Sequence, residues 1–380
     1  MLAMYFGLSA IEFALNNVTG ASSLKYLGAA ILVLILASAY KNNEQILIGM
    51  PQIFLLFWLF LALVSVFWTP SIDTAKIYIN SYINIIMFYV VITAVKFTRS
   101  DISLFINSMF IGSFVSVILV VFFAQPYDGG ERFVIALFGA NSEPNNLAAF
   151  IVISTTYSLW RIFKSKSLVL KLMFVTVFLL SFIALFKTGS RAGFITAVLA
   201  STVIFVGKAF IENRLKFKKV GEITLISLTT LLASFFLLNR FVNPYLLDRI
   251  FGFDTYDSGS NRTILWKYGF ELLKENPIFG YGLGSYLAMT SKVMHNTYFT
   301  VFFEQGIIGG IVFLGFILSI LYTVIKKRLF LALAILISGL VPAFFIDSMN
   351  KRFLWNALII SSIIVNYHLM KKIKKDNSFF

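Results

Sequence analysis

The stretch SFIALFKTGSRAGFITAVLA, residues 181–200, places a lysine, an arginine and two glycines between segments apolar enough to lie in hydrocarbon. The apolar character continues on both sides, over roughly 168–186 and 191–210. Each run approaches the ~20 residues that a helix needs to cross a core of about 30 Å. Only the turn around Gly189 separates them, so two membrane spans meet at a loop that carries Lys187 and Arg191.

Working outward, the same kind of run recurs along the whole chain. Spans are predicted at roughly 2–18, 24–40, 52–68, 75–95, 102–124, 146–163, 168–186, 191–210, 222–239, 297–325, 329–345 and 353–370. The first is the weakest, because Glu12 lies inside it; lacking a basic start and a small-residue cleavage site, it reads as a short span or re-entrant segment rather than a signal peptide. Of 380 residues, 59% are hydrophobic, 43 are Phe and 13% are charged, far from a soluble domain. The predicted fold is therefore an all-α polytopic membrane protein of about twelve transmembrane helices, residues 1–380 forming a single integral membrane domain.

The net charge of +15 does not point to nucleic acid, since the basic residues sit between apolar runs. Nineteen of the 32 Lys and Arg fall after even-numbered spans: Lys41; Lys96 and Arg99; Arg161, Lys164, Lys166 and Lys171; Lys208, Arg214, Lys216, Lys218 and Lys219; Lys326, Lys327 and Arg328; Lys371, Lys372, Lys374 and Lys375. The positive-inside rule then puts both termini in the cytoplasm and the odd-numbered connections outside. The long connections, roughly 125–145 and 240–296, are thus extracytoplasmic, and connections of that length are usually functional or disordered. The second follows helix nine and carries NRTILWKYGFELLKE, 261–275, with Ile264, Leu265, Tyr268, Leu272 and Leu273 at helical spacing and Trp266 beside them. That pattern predicts an amphipathic helix on the membrane surface, ended by Pro277. The glycine-rich FGYGLGSY that follows is a tight loop; without a preceding strand it is not a dinucleotide-binding turn.

With no cysteine there is no disulfide, thiolate nucleophile or iron–sulfur site, and with only His295 and His368 a metal centre is poorly supplied. No cofactor and no metal are expected. The chemistry must come from charged residues predicted on the outer face: Arg132 and Glu143, Lys187 and Arg191, Arg262, His295, and Asp347, Lys351 and Arg352. Each alone has a plain structural reading. Lysine and arginine at helix ends snorkel, Arg262 suits a solvated helix face, His295 a satisfied interfacial position and Glu143 a cap. His368, beside the lysine tail, is best read that way. Arg191, however, lies in the first turn of its helix, where the dipole disfavours a cation, so an anionic partner explains it better. Together these groups offer guanidinium forks for phosphate oxygens and an imidazole that can take a proton near neutral pH.

Taken in order, TGSRAG (188–193), NRTILWKYGFELLKENPIFGYGLGSY (261–286) and HNTYFTVFFEQGIIGG (295–310), preceded by Arg132, Phe133, Gly139, Glu143, Pro144, Asn145, Leu147 and Ala148, resemble the O-antigen ligase/polymerase family of bacterial envelope enzymes. The resemblance covers 132–310. It implies a metal-independent, inverting glycosyltransferase of the GT-C type in the bacterial cytoplasmic (inner) membrane, with the 240–296 loop as part of the catalytic site. The implied donor is an undecaprenyl-pyrophosphate-linked oligosaccharide, and the acceptor a glycan or lipid on the outer face. By that resemblance Arg191 and Arg262 hold the pyrophosphate, and His295 is the base or acceptor-positioning group. Arg132, Glu143, Lys187, Glu304, Asp347, Lys351 and Arg352 are substrate-binding candidates. Glu304 could instead orient another side chain or pair with a cation, and the Asp347 group could simply anchor.

Two readings share this chemistry: a polymerase building O-antigen, capsular or other surface polysaccharide, favoured by KRFLW near the last span, and a ligase to a lipid A core or a protein. A flippase and a chain-length regulator are natural partners of either, and nucleic acid is not. A third reading, a transporter of lipid-linked sugar, predicts internal repeats and midplane polar residues; here no repeat is visible and the polar residues gather at one face.

Overall fold

The computed structural model describes residues 1–19, 22–42, 46–127, 130–211 and 262–376. The predicted ninth span at 222–239, the basic residues Arg214, Lys216, Lys218 and Lys219, the first part of the long connection, 240–261, and the side chains of Lys371, Lys372, Lys374 and Lys375 lie outside the described residues. The chain is mostly helical, and among the described residues eight helices are long and apolar enough to cross a membrane.

The helices are α1 (Leu2–Leu8), α2 (Glu12–Thr19), α3 (Ser23–Lys41), α4 (Met50–Val64), α5 (Ile72–Ala94), α6 (Arg99–Phe123), α7 (Pro144–Lys164), α8 (Leu168–Thr188), α9 (Arg191–Ile211), α10 (Arg262–Leu273), α11 (Ser285–Thr290), α12 (Thr297–Lys326), α13 (Phe330–Leu340) and α14 (Arg352–Asp376). The first predicted span is two short helices joined by a 3-10 turn at Ser9–Ile11, not one continuous helix. Between α6 and α7 the chain folds two small hairpins, Gln125–Pro126 with Phe133–Val134 and Ala136–Leu137 with Ala140–Asn141.

Helix α7 is the centre of the bundle, packing against α6, α8, α9 and α13. Its buried face is built from small and hydroxyl residues, among them Ala148, Ala149, Ser154, Thr155 and Thr156. Their hydroxyls are absorbed locally: Thr156 donates to the Val152 carbonyl at 2.8 Å, and Ser181 of α8 reaches Ser154 at 3.0 Å. Such a helix buries polar atoms in protein rather than lipid, and so is less apolar than the eight lipid-length spans. Close approach is the reason for Gly193, where a Cβ would stand 2.6 Å from that of Ala148.

Helix α12 is not a continuous rod. Gly306, at φ 63° and ψ −165°, breaks it, and the loop after α10 enters the gap. Tyr281 N–H donates to the Phe303 carbonyl at 3.0 Å, Gly282 N–H to Glu304 at 2.8 Å, and Ile307 N–H to Pro277 at 2.8 Å. These backbone groups freed by the break thus find partners in protein, as a non-helical segment at membrane depth requires. A Cβ on Gly306 would lie 2.1 Å from the Ile278 carbonyl oxygen, so only glycine fits.

At the opposite ends of the same helices, Arg99, Arg161, Lys164, Lys208, Arg328 and His368 line one cavity. The loop-charge argument requires Arg99, Arg161, Lys164, Lys208 and Arg328, all from even-numbered connections, to share a face, and they do.

Candidate active site

The other face gathers the motifs. Gly189, at φ 58°, caps the end of α8, and its neighbour Ser190 caps the start of α9 by accepting from Gly193 N–H at 3.2 Å. Arg132, on the first hairpin, donates from Nε to the Thr188 carbonyl at 2.9 Å and from Nη2 to Asn145 Oδ1 at 3.0 Å. Asn145 Nδ2 in turn donates to Glu143 Oε1 at 2.7 Å, while Glu143 Oε2 accepts from Asn146 N–H at 2.7 Å and caps α7. Both carboxylate oxygens are therefore fixed, and Arg132 ties the ends of α7 and α8 together through its guanidinium.

Glu143 and Arg262 both act electrostatically on His295. Burial and the Arg262 guanidinium hold the imidazole below its ordinary pKa, and the Glu143 carboxylate opposes them. An imidazole so placed is neutral at pH 7 and free to accept a proton. His295 has φ 55°, the left-handed region that histidine tolerates better than most side chains but at a cost of about 1–3 kcal/mol. The next residue, Asn296, caps α12 by accepting from Phe299 N–H at 3.0 Å.

Arg262 is delivered by α10, which lies where the surface helix was predicted. Three aromatic side chains fasten it: Trp266 Nε1 donates to the Met294 carbonyl at 2.8 Å, Tyr286 hydroxyl to Leu265 at 2.9 Å, and Tyr281 hydroxyl to Leu272 at 3.0 Å. Leu265, Leu272 and Leu273 pack around Tyr286, Met294 and Phe303, whereas Ile264 and Tyr268 of the predicted apolar face stay exposed. The helix carrying Arg262 and the loop carrying His295 are thus one packed unit.

A second group forms one layer deeper. Glu304, buried two residues before the break at Gly306, accepts from the Gly284 backbone N–H and lies within electrostatic range of Asp347. Tyr78 and Tyr82 of α5 lie within electrostatic range of both carboxylates. Asp347 is placed by Thr297, whose hydroxyl donates to the Ile346 carbonyl at 2.9 Å and accepts from Ser348 N–H at 2.7 Å. Burial pushes the Asp347 carboxyl up, against donation from Met349 N–H and the charge of Lys351. Among the described residues Glu304 forms no ion pair with Lys or Arg.

Glu143, Lys351 and Arg352 also line a cavity of about 350 Å³ whose walls include Asn16, Ser81, Asn84, Asn146 and Asn350. Arg352 is held from within: its Nε and Nη2 lie 3.2 Å from Glu12 Oε1, and Nη1 donates to the Tyr5 hydroxyl at 2.7 Å. Lys187 is likewise engaged, donating to the Val121 carbonyl at 2.8 Å with its ammonium 5.6 Å from the Phe133 ring. Arg191 is exposed at the start of α9.

The arrangement joins a guanidinium, a neutral imidazole and a polar cavity at one end of a helical membrane bundle. Residues 176–314 match the family described as O-antigen ligase. The resemblance to the O-antigen ligase/polymerase family is borne out over that stretch, which holds Arg191, Arg262, His295 and Glu304. A search of the curated proteins found no match. An O-antigen ligase match implies a glycosyltransferase-like enzyme of surface-glycan assembly that takes a lipid-linked glycan and an acceptor in a membrane. Arg132, Glu143, Asp347, Lys351 and Arg352 lie outside the matched stretch, so their place in the site rests on the geometry above.

Sequence reasoning missed Tyr5, Tyr78, Tyr82, Asn16 and Asn84. The i, i+4 pair Tyr78 and Tyr82 inside an otherwise apolar run was a usable signal; nothing local marks Tyr5 or the asparagines.

Proposed function

We propose that this chain is an inverting, metal-independent glycosyltransferase that polymerises undecaprenyl-pyrophosphate-linked oligosaccharide repeat units on the outer face of the bacterial cytoplasmic membrane. The observation that carries the reading is the junction at His295, where Arg262, Glu143 and, through Asn145, Arg132 meet. In the proposed reaction an acceptor hydroxyl attacks the anomeric carbon of the donor sugar. Its proton passes to the His295 imidazole, the new glycosidic C–O bond forms, and the bond to the lipid pyrophosphate breaks with its electron pair on the leaving oxygen. Arg262 and Arg191 stabilise the charge that develops there. Glu143 orients the imidazole and stabilises its protonated form, a role that fits a carboxylate fixed at both oxygens.

The polar cavity bounded by Asn16, Asn84, Asn146 and Asn350 offers amide donors and acceptors suited to sugar hydroxyls. Lys351 lines it, and Asp347, outside its lining, lies within electrostatic range of Lys351. Arg352 and Lys187 act as positioning residues, since Arg352 binds Glu12 and Tyr5 and Lys187 donates to the Val121 carbonyl.

A second reading, ligation of finished glycan to a lipid A core or a protein, is favoured by the description of the matched family. Reconstitution separates the two: purified protein, a lipid-pyrophosphate-linked repeat unit and no other acceptor. A ladder of longer lipid-linked glycans, lost in His295→Ala and Arg262→Ala, is expected of the polymerase. Transfer only after a lipid A core or peptide is added would make it a ligase. Translocation of the lipid without transfer would overturn both.

A further inference from the structure

The cavity at the far ends of the helices lies opposite the candidate active site, and its chemistry is one-sided. It encloses about 620 Å³ and is lined by Arg99, Arg161, Lys164, Lys208 and Arg328, contributed by α6, α7, α9 and the α12–α13 turn, with His368 of α14. Among the described residues that line it there is no carboxylate. Arg99, Arg161 and Lys164 repel one another across this space, a cost that an anion within it would remove.

Snorkelling accounts for cations that reach outward, but Arg161 and Lys208 are held inward. The Arg161 guanidinium lies 5.1 Å from the Phe174 ring and 5.9 Å from that of Tyr157, and the Lys208 ammonium 4.2 Å from Phe163. Phe163 and Tyr157 are themselves cavity walls. Arg161 Nε is buried and has no hydrogen-bond acceptor among the described residues. Arg99, Arg161 and Lys164 form no ion pair among them either. Arg328, in the turn between α12 and α13, holds φ 54°, a left-handed conformation that only glycine adopts without strain.

The remaining walls are mostly apolar, among them Ile106, Ile204 and Ile364 of the membrane-length helices α6, α9 and α14 and the aromatic Trp160 and Phe330, with the polar Ser103 and Asn107 beside them. A ring of cations above an apolar cleft between membrane helices fits an amphiphile with a phosphate head, the way basic interhelical pockets hold anionic lipids. We propose that this cavity binds the phosphodiester headgroup of an anionic phospholipid in the leaflet opposite the candidate active site.

The test is native mass spectrometry of the detergent-purified full chain titrated with cardiolipin, phosphatidylglycerol or phosphatidylcholine, and in a separate arm with inorganic phosphate. Expected are retained adducts of the two anionic lipids, weakened by salt. Apparent affinity should fall by about fivefold for each exposed cation removed in Arg99→Gln and Lys164→Gln. Arg161→Gln should add to the loss, and the exposed variants guard against a folding defect in it. Lys76→Gln, on a surface helix end far from the cavity, should bind as the unmodified chain does. Equal retention of phosphatidylcholine, or an equal loss in Lys76→Gln, would reduce the effect to bulk charge and overturn the proposal. So would displacement of the lipid by inorganic phosphate alone, which would point to a soluble phosphate compound, or undiminished binding in Arg99→Gln and Lys164→Gln.

Discussion

Glu12 and Arg352, 340 residues apart, meet in an ion pair of 3.2 Å that joins the first helices of the bundle to the last. Arg352 is 9% exposed and Glu12 21%, so neither charge is solvated well enough to stand alone. Glu12→Ala should therefore destabilise the protein by about 3 kcal/mol, the usual result of stranding one member of a buried pair. Thermal unfolding in detergent reads this directly. A midpoint within error of the unmodified protein would show that the pair is exchanged for lipid or water contacts.

His295 sets the acid limb of the proposed reaction. Because burial and Arg262 lower its pKa, the imidazole stays neutral down to a pH below about 6.5, and kcat/KM should fall only beneath that value. Arg262→Ala removes a lowering charge and should move the limb up; Glu143→Gln removes the opposing charge and should move it down. The same sign governs stability: with the folded pKa depressed, His295 contributes stability that is present above about 6.5 and lost as pH falls through the folded pKa. Residual transfer rates measured from pH 5 to 8 decide, and a limb unmoved by either substitution would exclude His295 as the titrating base.

Gly306→Ala should be among the most damaging single substitutions. The left-handed φ and the 2.1 Å approach of the Ile278 carbonyl leave no room for a methyl group. Closing the break also expels the loop from Pro277 to Leu283 and orphans its backbone donors. A loss of about 3 kcal/mol or failure to fold is expected. Size-exclusion profile and protease resistance report it; a well-folded, active Gly306→Ala would mean that α12 tolerates a continuous helix.

Arg191 and Lys187, four residues apart, should separate by kinetics. Arg191→Ala is expected to abolish transfer, and Arg191→Lys to restore only part of it because the guanidinium fork is lost. Lys187→Gln loses the bond to the Val121 carbonyl and should cost about 1 kcal/mol of stability with KM unchanged. A raised KM for the lipid-linked donor in Lys187→Gln would instead place that ammonium on the pyrophosphate.

The sequence by itself determined that this is a helical membrane chain, which ends of its helices share a face, and where the surface helix carrying Arg262 lies. Hydropathy and loop charge are local properties, and a bilayer makes them decisive because every span must satisfy its own backbone. Motif order likewise exposed Arg191, Arg262 and His295 as candidates. The tertiary structure alone decided how those candidates are used. No local signal tells that Arg352 spends its guanidinium on Glu12 and Tyr5, that Lys187 caps α6, or that Asn145 carries Arg132 to Glu143. Nor does it tell that a glycine-rich loop fills a broken helix at Gly306. Those contacts join segments up to 340 residues apart, and which polar groups find one another there depends on helix packing, where small residues such as Gly193 and Ala148 set the distance.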